Sequence, residues 1–165
     1  MARLRGQKLF NTALIGAVFV VVLDRLAKSF SLEVWQRGPR ILLDDFLSLG
    51  FLENTTIAFS LPLPVPPTFI ALPIIFVAAY YFWRQVHRKK QHEAAALAFI
   101  ILGAASNLYD RLAYGYVIDY IDVHYFTVFN LADTMICFGV AWLLWRLSAA
   151  AEVQGELNNL DKEIH

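Results

Sequence analysis

Charge is scarce in this chain of 165 residues: Asp, Glu, Lys and Arg together make up 17%, where a soluble domain carries about 25%. Hydrophobic residues make up 58% and aromatic residues 15%, with a mean hydropathy of +0.51. So little charge argues against an ordinary water-soluble domain and points to lipid as the solvent. The formal net charge is zero, so the basic surplus that attracts phosphate backbones is missing and no nucleic acid is expected as a partner. Cysteine occurs once, at Cys137, which excludes an internal disulfide framework. No CxxC pair or His/Cys cluster has metal-ligand spacing, so neither a metal nor another cofactor is expected. Internal repeats and low-complexity tracts are lacking too, and the length suits one domain over residues 1–165.

What the chain has instead is four apolar segments. They contain "FNTALIGAVFVVVL", "VPPTFIALPIIFVAAYYFW", "EAAALAFIILGAASNL" and "VFNLADTMICFGVAWLLWRL". A bilayer core takes roughly 20 residues of helix, which predicts transmembrane helices over about 9–28, 65–84, 93–113 and 128–147. The first and third reach that length only if polar residues at one end lie inside the helix. No small-residue cleavage site follows Leu23, so the first segment is expected to be a retained helix rather than a cleaved signal peptide.

Arg3, Arg5 and Lys8 precede the first segment, and Arg84, Arg88, Lys89 and Lys90 crowd the short connection after the second. Basic residues in short loops mark the cytoplasmic side, so both termini are expected in the cytoplasm. The connection from Asp24 to Pro64 and the one over 109–127 then face outward. The first is long for a bare loop. Its "ILLDDFLSLGFLENTTIAFS" mixes alternating apolar positions with turn signals at Asp44-Asp45 and Gly50. The expected fold is therefore mainly α and integral to the membrane, with four transmembrane helices. A small periplasmic β-sheet or loop region over about 30–62 separates the first two helices. "LPLPVPP" reads as an extended entry to the second helix, and the polar tail over about 150–165 as a frayed extension.

The polar residues of the apolar segments gather at one level on this map. Asp24 and Lys28 share a face at the outer end of the first helix. Asn107, Asp110, Arg111 and Tyr114 form one face at the outer end of the third, with Gly115 as its stop. Asn130 and Asp133 share a face at the start of the fourth, Asp119 lies shortly before them, and Asn54 comes from the outer loop. Ionisable groups in membrane helices are expensive and mark functional sites. Plainer roles compete: Asp24 and Lys28 as a snorkelling pair, Asn130 as a bare N-cap, Asp44, Asp45 and Asp122 as solvated acids, and His124 and Cys137 as packing or surface residues. Asp133 resists such an account, because it is expected a full turn inside an apolar helix, beyond the reach of a cap.

If the connection before the fourth helix folds back, Asp119 and Asp133 approach each other. Two carboxylates in contact do not both ionise, so one keeps a proton while the other stays charged. Such a pair supplies a general base for a water and a general acid for a leaving amine. An aspartyl hydrolase at the membrane surface meets that description. The alternative is a non-enzymatic small membrane protein, either an ion-coupled transporter with acids along a path or an inactive binding relative.

The blocks "DRLAK" (24–28), "ENTTIAFS" (53–60), "SNLYDRLAYGYVIDYID" (106–122) and "FNLADT" (129–134) resemble, in order, those of the bacterial lipoprotein signal peptidases, signal peptidase II. The resemblance spans nearly the whole chain from Asp24 to the end of the fourth helix. It implies a four-helix inner-membrane aspartyl endopeptidase whose site lies near the periplasmic face. Its substrate would be a diacylglyceryl-modified prolipoprotein, cut just before the lipidated cysteine. Matched by motif, the catalytic residues are Asp119 and Asp133, and Asp24, Lys28, Asn54, Asn107, Arg111 and Asn130 shape or support the site. The resemblance further implies contact with membrane lipids and inhibition by globomycin-type and myxovirescin-type antibiotics; a monomer is sufficient. Two positions depart from the family pattern. Thr56 stands where a small residue, often Gly, is usual, and Ser106 where Gly commonly precedes Asn107, so the loop near Asn54 is expected to sit differently.

Overall fold

The computed structural model describes residues 2–35, 38–43, 46–56 and 67–164. Helix α1 spans Ala2–Val34, strands β1 Arg40–Leu43 and β2 Leu47–Asn54, and helices α2 Pro67–His87 and α3 Gln91–Tyr114. Strands β3 Val117–Val123 and β4 Thr127–Phe129 follow, then helix α4 Leu131–Ile164. All four helices are long and apolar enough to cross a membrane. The Asp44-Asp45 turn and the proline run up to Pro66 lie outside the described residues.

The bundle is inverted relative to a soluble protein. Its outer surface carries large apolar side chains, among them Phe19, Leu26, Phe76, Trp83, Leu112 and Trp145, while Asp24, Lys28, Ser31, Asn107 and Asp110 are buried. Lipid rewards that arrangement, since apolar side chains lose nothing by facing it and polar groups must find partners inside. Helices α3 and α4 pack antiparallel through small residues. A Cβ on Gly103 would stand 2.6 Å from the Ala132 carbonyl oxygen, and one on Gly139 2.8 Å from that of Ala96. Glycine alone permits such approach, and it draws the start of α4 against the outer half of α3. Near the other end Phe10 meets Phe82 at 6.3 Å, and Glu93 faces Arg146 at 3.9 Å. The N-terminus of α1, the α2–α3 turn and the outgoing half of α4 thus lie together, opposite the sheet.

Helix boundaries differ from expectation in α1, which runs Ala2–Val34 rather than about 9–28, and at both ends of α4. Helix α4 starts at Leu131 rather than near residue 128, because Thr127–Phe129 pairs as a strand. The tail is not frayed: α4 continues to Ile164. Ala149, Ala150 and Ala151 carry the helix onward, Gln154 donates to Asn158 at 3.1 Å, and Gly155, worth about 1 kcal/mol against helix, does not stop it.

The sheet is also larger than expected. Its order is β1-β2-β3-β4, all antiparallel, so half of it comes from the connection between α3 and α4. Gly115, at φ 86°, ends α3 in the left-handed conformation and turns the chain into β3. The β2–β3 ladder shifts register once. Leu49 faces Ile121, but Leu52 faces Asp119 and Asn54 faces Val117. Without that bulge Phe51 would face Asp119, and Glu53 would take the place of Asn54 on its side of the sheet. The extra residue rotates Asn54 onto the Asp119 face.

Candidate active site

Asn130 immediately precedes α4. Its Oδ1 accepts the N–H of Asp133 at 2.9 Å, and its own N–H donates to Asp133 Oδ2 at 3.2 Å. This reciprocal pairing is a capping box built from Asn and Asp. The expectation that no cap reaches Asp133 is therefore overturned, since the later start of α4 leaves Asp133 in the first turn. Asn130 is nevertheless more than a bare cap. Its Nδ2 donates to Asp119 Oδ1 at 2.7 Å, so one buried asparagine touches both carboxylates.

Each carboxylate has a further amide donor. Asn54 Nδ2 reaches Asp119 Oδ2 at 2.8 Å, and Asn107 Nδ2 reaches Asp133 Oδ1 at 2.7 Å. Asp119 is only 2% exposed. Burial, and then the neighbouring Asp133 charge, push its carboxyl up to about 6, against the opposing hydrogen bonds from Asn54 and Asn130. Asp133 is half-buried and sits in the first turn of α4, at the positive end of the helix dipole.

Behind Asn107 lies a buried charge network. Lys28 is wholly buried, and its Nζ donates to Asn107 Oδ1 at 2.8 Å, Asp24 Oδ2 at 2.9 Å and Asp110 Oδ2 at 2.8 Å. That uses all three ammonium hydrogens and rules out a snorkelling lysine. Asp110 also pairs with Arg25, whose guanidinium lies 4.5 Å from the Tyr109 ring centre. Asp24 Oδ2 accepts from Ser106 Oγ at 2.7 Å. Asp24 Oδ1 accepts from the Tyr120 hydroxyl at 3.1 Å and from the Ala132 N–H at 3.2 Å. The Tyr120 oxygen in turn accepts the Leu131 N–H at 3.1 Å. Burial and the Asp24 charge raise the Tyr120 hydroxyl well above its ordinary range, so it remains a donor. These bonds pin the start of α4 against α1 and fix the distance from β3 to Asp133.

Every site residue expected from the sequence falls in this assembly or at its edge. Arg111 lies at the edge, donating from its guanidinium to the Thr56 carbonyl at 3.2 Å. Tyr114, on the same expected face, is exposed and stacks on Tyr116 instead. Asp122 is half-buried and accepts from Ser48 at 3.4 Å, away from the pair. His124 packs on Tyr125, and Cys137 is exposed on α4. Sequence reasoning missed Arg25, Tyr120 and a role for Asp110. Asp110 was visible on the polar face of α3, but neither Arg25 nor Tyr120 carried a signal beyond adjacency to Asp24 and Asp119.

Comparison with known proteins identifies the family. The family model for signal peptidase (SPase) II matches residues 16–149. The chain belongs to the signal peptidase II family. The lipoprotein signal peptidase of Bartonella quintana is 38% identical over 141 residues, covering 81% of this chain and 84% of that one. That of Moorella thermoacetica is 34% identical over 147 residues, covering 86% and 96%. A solved bacterial membrane enzyme, determined in meso at 2.3 Å resolution, superposes with a TM-score of 0.72 at 21% identity over 86% of this chain and 90% of that one. The family is one of aspartic peptidases, and membership makes this chain a multi-pass membrane peptidase.

Proposed function

We propose that the chain is a membrane aspartyl endopeptidase that removes the signal peptide from diacylglyceryl-modified prolipoproteins, cutting before the lipidated cysteine. The observation that carries the proposal is the bridging of Asp119 and Asp133 by Asn130. Names of relatives such as the lipoprotein signal peptidases of Bartonella quintana and Moorella thermoacetica support the substrate class. The ion-path alternative finds no support: Asp24, Asp110 and Asp119 are buried at one end of the bundle, and Glu93, buried at the other end, is paired with Arg146.

In this reading Asp133 is the base. The α4 dipole, the Asn130 N–H and the Lys28–Asn107 link all favour its charge. Asp119 holds the proton. Asp133 takes a proton from a water lying between the carboxylates, and the water oxygen bonds to the scissile carbonyl carbon. Asp119 then gives its proton to the departing amine nitrogen as the C–N bond breaks. Asn54, Asn107 and Asn130 keep both acids aimed, and Arg111 anchors the loop beside them.

The Lys and Arg residues in the first turns of α1 and between α2 and α3 lie at the end away from the site, which supports a cytoplasmic location for both termini. The site then faces the periplasm from the inner membrane. The chain acts as one membrane-embedded domain and as a monomer, and globomycin-type inhibitors occupy the carboxylate pair.

Purified protein in detergent is expected to shorten a diacylglyceryl-modified precursor, to leave the unmodified precursor intact, and to be blocked by globomycin. A folded preparation that cuts neither precursor contradicts the proposal. The pH profile provides a second check. With Asp133 charged, Asp119 loses its proton as pH rises through about 6, and the pair loses its acid. kcat/KM is therefore expected to fall on the alkaline side with a limb centred near that value. A kcat/KM that instead rises through this range to a plateau would reverse the assignment of acid and base.

A further inference from the structure

Thr56 lies two residues beyond the end partner of the β2–β3 ladder, Asn54. Its backbone N–H donates to Asn54 Oδ1 at 3.0 Å, and its hydroxyl donates to the same oxygen at 2.9 Å. Two donors on Oδ1 fix the sense of the amide. A flipped Asn54 would set its NH2 against both donors and its oxygen against the Asp119 carboxylate. The amide nitrogen is thereby left for Asp119 Oδ2, which it meets at 2.8 Å. Thr56 is itself tethered, because its carbonyl accepts from Arg111 of α3. A chain of hydrogen bonds thus runs from α3 through Thr56 and Asn54 to Asp119.

We propose that Thr56 is a positioning residue for Asp119, acting through the Asn54 side chain. Glycine at this place would keep the backbone donor but not the hydroxyl, so the second lock on Asn54 belongs to this sequence. Donation by Asn54 stabilises the ionised form of Asp119. Loosening the lock weakens that donation and makes Asp119 hold its proton more tightly. The other charges that face Asp119 are Asp133 of α4, Lys28 of α1 and Arg111 of α3, and none of them is altered by a change at the Thr56 hydroxyl.

The proposal rests on Asp119 being half of the catalytic pair, so its first test does not use catalysis. The full chain, labelled with ¹³C at the aspartate carboxyls, is titrated in detergent by NMR, with Asp119 assigned from Asp119→Asn. Thr56→Val is expected to move the Asp119 midpoint upward by roughly half a pH unit, and Thr56→Ser to bring it back. In an Asn54→Ala background Thr56→Val is expected to move it no further, since the effect passes through Asn54. Turnover of the lipidated precursor, measured below about pH 6 where Asp119 keeps its proton in both proteins, is expected to fall roughly 3- to 10-fold in Thr56→Val, about one hydrogen bond's worth, with KM nearly unchanged. Should Thr56→Val not fold, Thr56→Ala removes the same hydroxyl. An unmoved midpoint in the folded variant, or an equal shift in the Asn54→Ala background, overturns the proposal. A wild-type protein that titrates as expected but cleaves nothing sinks the peptidase reading while leaving Thr56 as the positioner of Asp119.

Discussion

Replacement of Asp133 by Asn is expected to lower single-turnover cleavage of a lipidated precursor by about 10²- to 10⁴-fold, the range ascribed to one general acid or base. The substitution keeps the shape of the side chain. One oxygen can still accept the Asn130 N–H or the Asn107 amide, so the capping box survives in part and the helix start stays in place. What is lost is the negative charge that would take a proton from water. Fold and function therefore separate: melting in detergent should move by a few degrees at most, while cleavage nearly vanishes. Retention of more than about a tenth of the activity would show that Asp133 is not the base.

The largest effect on stability is expected at Lys28. Asp24, Asp110, Lys28 and Arg25 form a four-charge cluster whose formal charges cancel, and three of its members are wholly buried. Lys28→Met keeps the length of the side chain and removes one positive charge. Asp110 then keeps Arg25, Asp24 loses its ion-pair partner Lys28, and Asn107 loses the donor that fixes its amide. Breaking a buried ion pair from one side costs about 3–5 kcal/mol, which corresponds to a fall of roughly 10 °C in Tm for a chain of this size. Adding Asp110→Asn to Lys28→Met restores the charge balance and is expected to recover part of that loss. A Lys28→Met protein that melts with the wild type would mean that the cluster contributes nothing to the fold. Thermal unfolding followed by circular dichroism distinguishes the outcomes.

The sequence announced the main parts of this site because lipid makes polar residues conspicuous. Asp24 and Lys28 stand out at helical spacing in an apolar segment, as do Asn107 with Asp110 and Asn130 with Asp133. The four spans were equally legible, for the same reason. What spacing does not encode is which faces meet. Nothing local to Tyr120 says that its hydroxyl joins Asp24 of α1 to Leu131 of α4, and nothing in "DRLAK" says that Arg25 and Lys28 both turn to Asp110. The β2–β3 register is hidden in the same way. Alternation alone cannot tell whether Asn54 or Glu53 accompanies Asp119, because one bulge reverses the answer. Position within an element mattered as well. A start for α4 only three residues later turned Asp133 from an unexplained interior acid into the closing residue of a capping box, the third of the helix. The two departures at Thr56 and Ser106 looked like doubts about geometry, yet both hydroxyls donate to side chains of the assembly.

The central claim is that Asp119 and Asp133 act as one unit on one water. A double-mutant cycle on single-turnover cleavage of the diacylglyceryl-modified precursor tests it most directly. Asp119→Asn, Asp133→Asn and the double variant are compared with the wild type, each shown to be folded by its melting curve. Residues that work as a unit give strongly non-additive losses. The prediction is that either single change removes nearly all cleavage and that the double variant is hardly slower than the singles. Losses that multiply in the double variant, or a single variant that cuts at the wild-type rate, would contradict it.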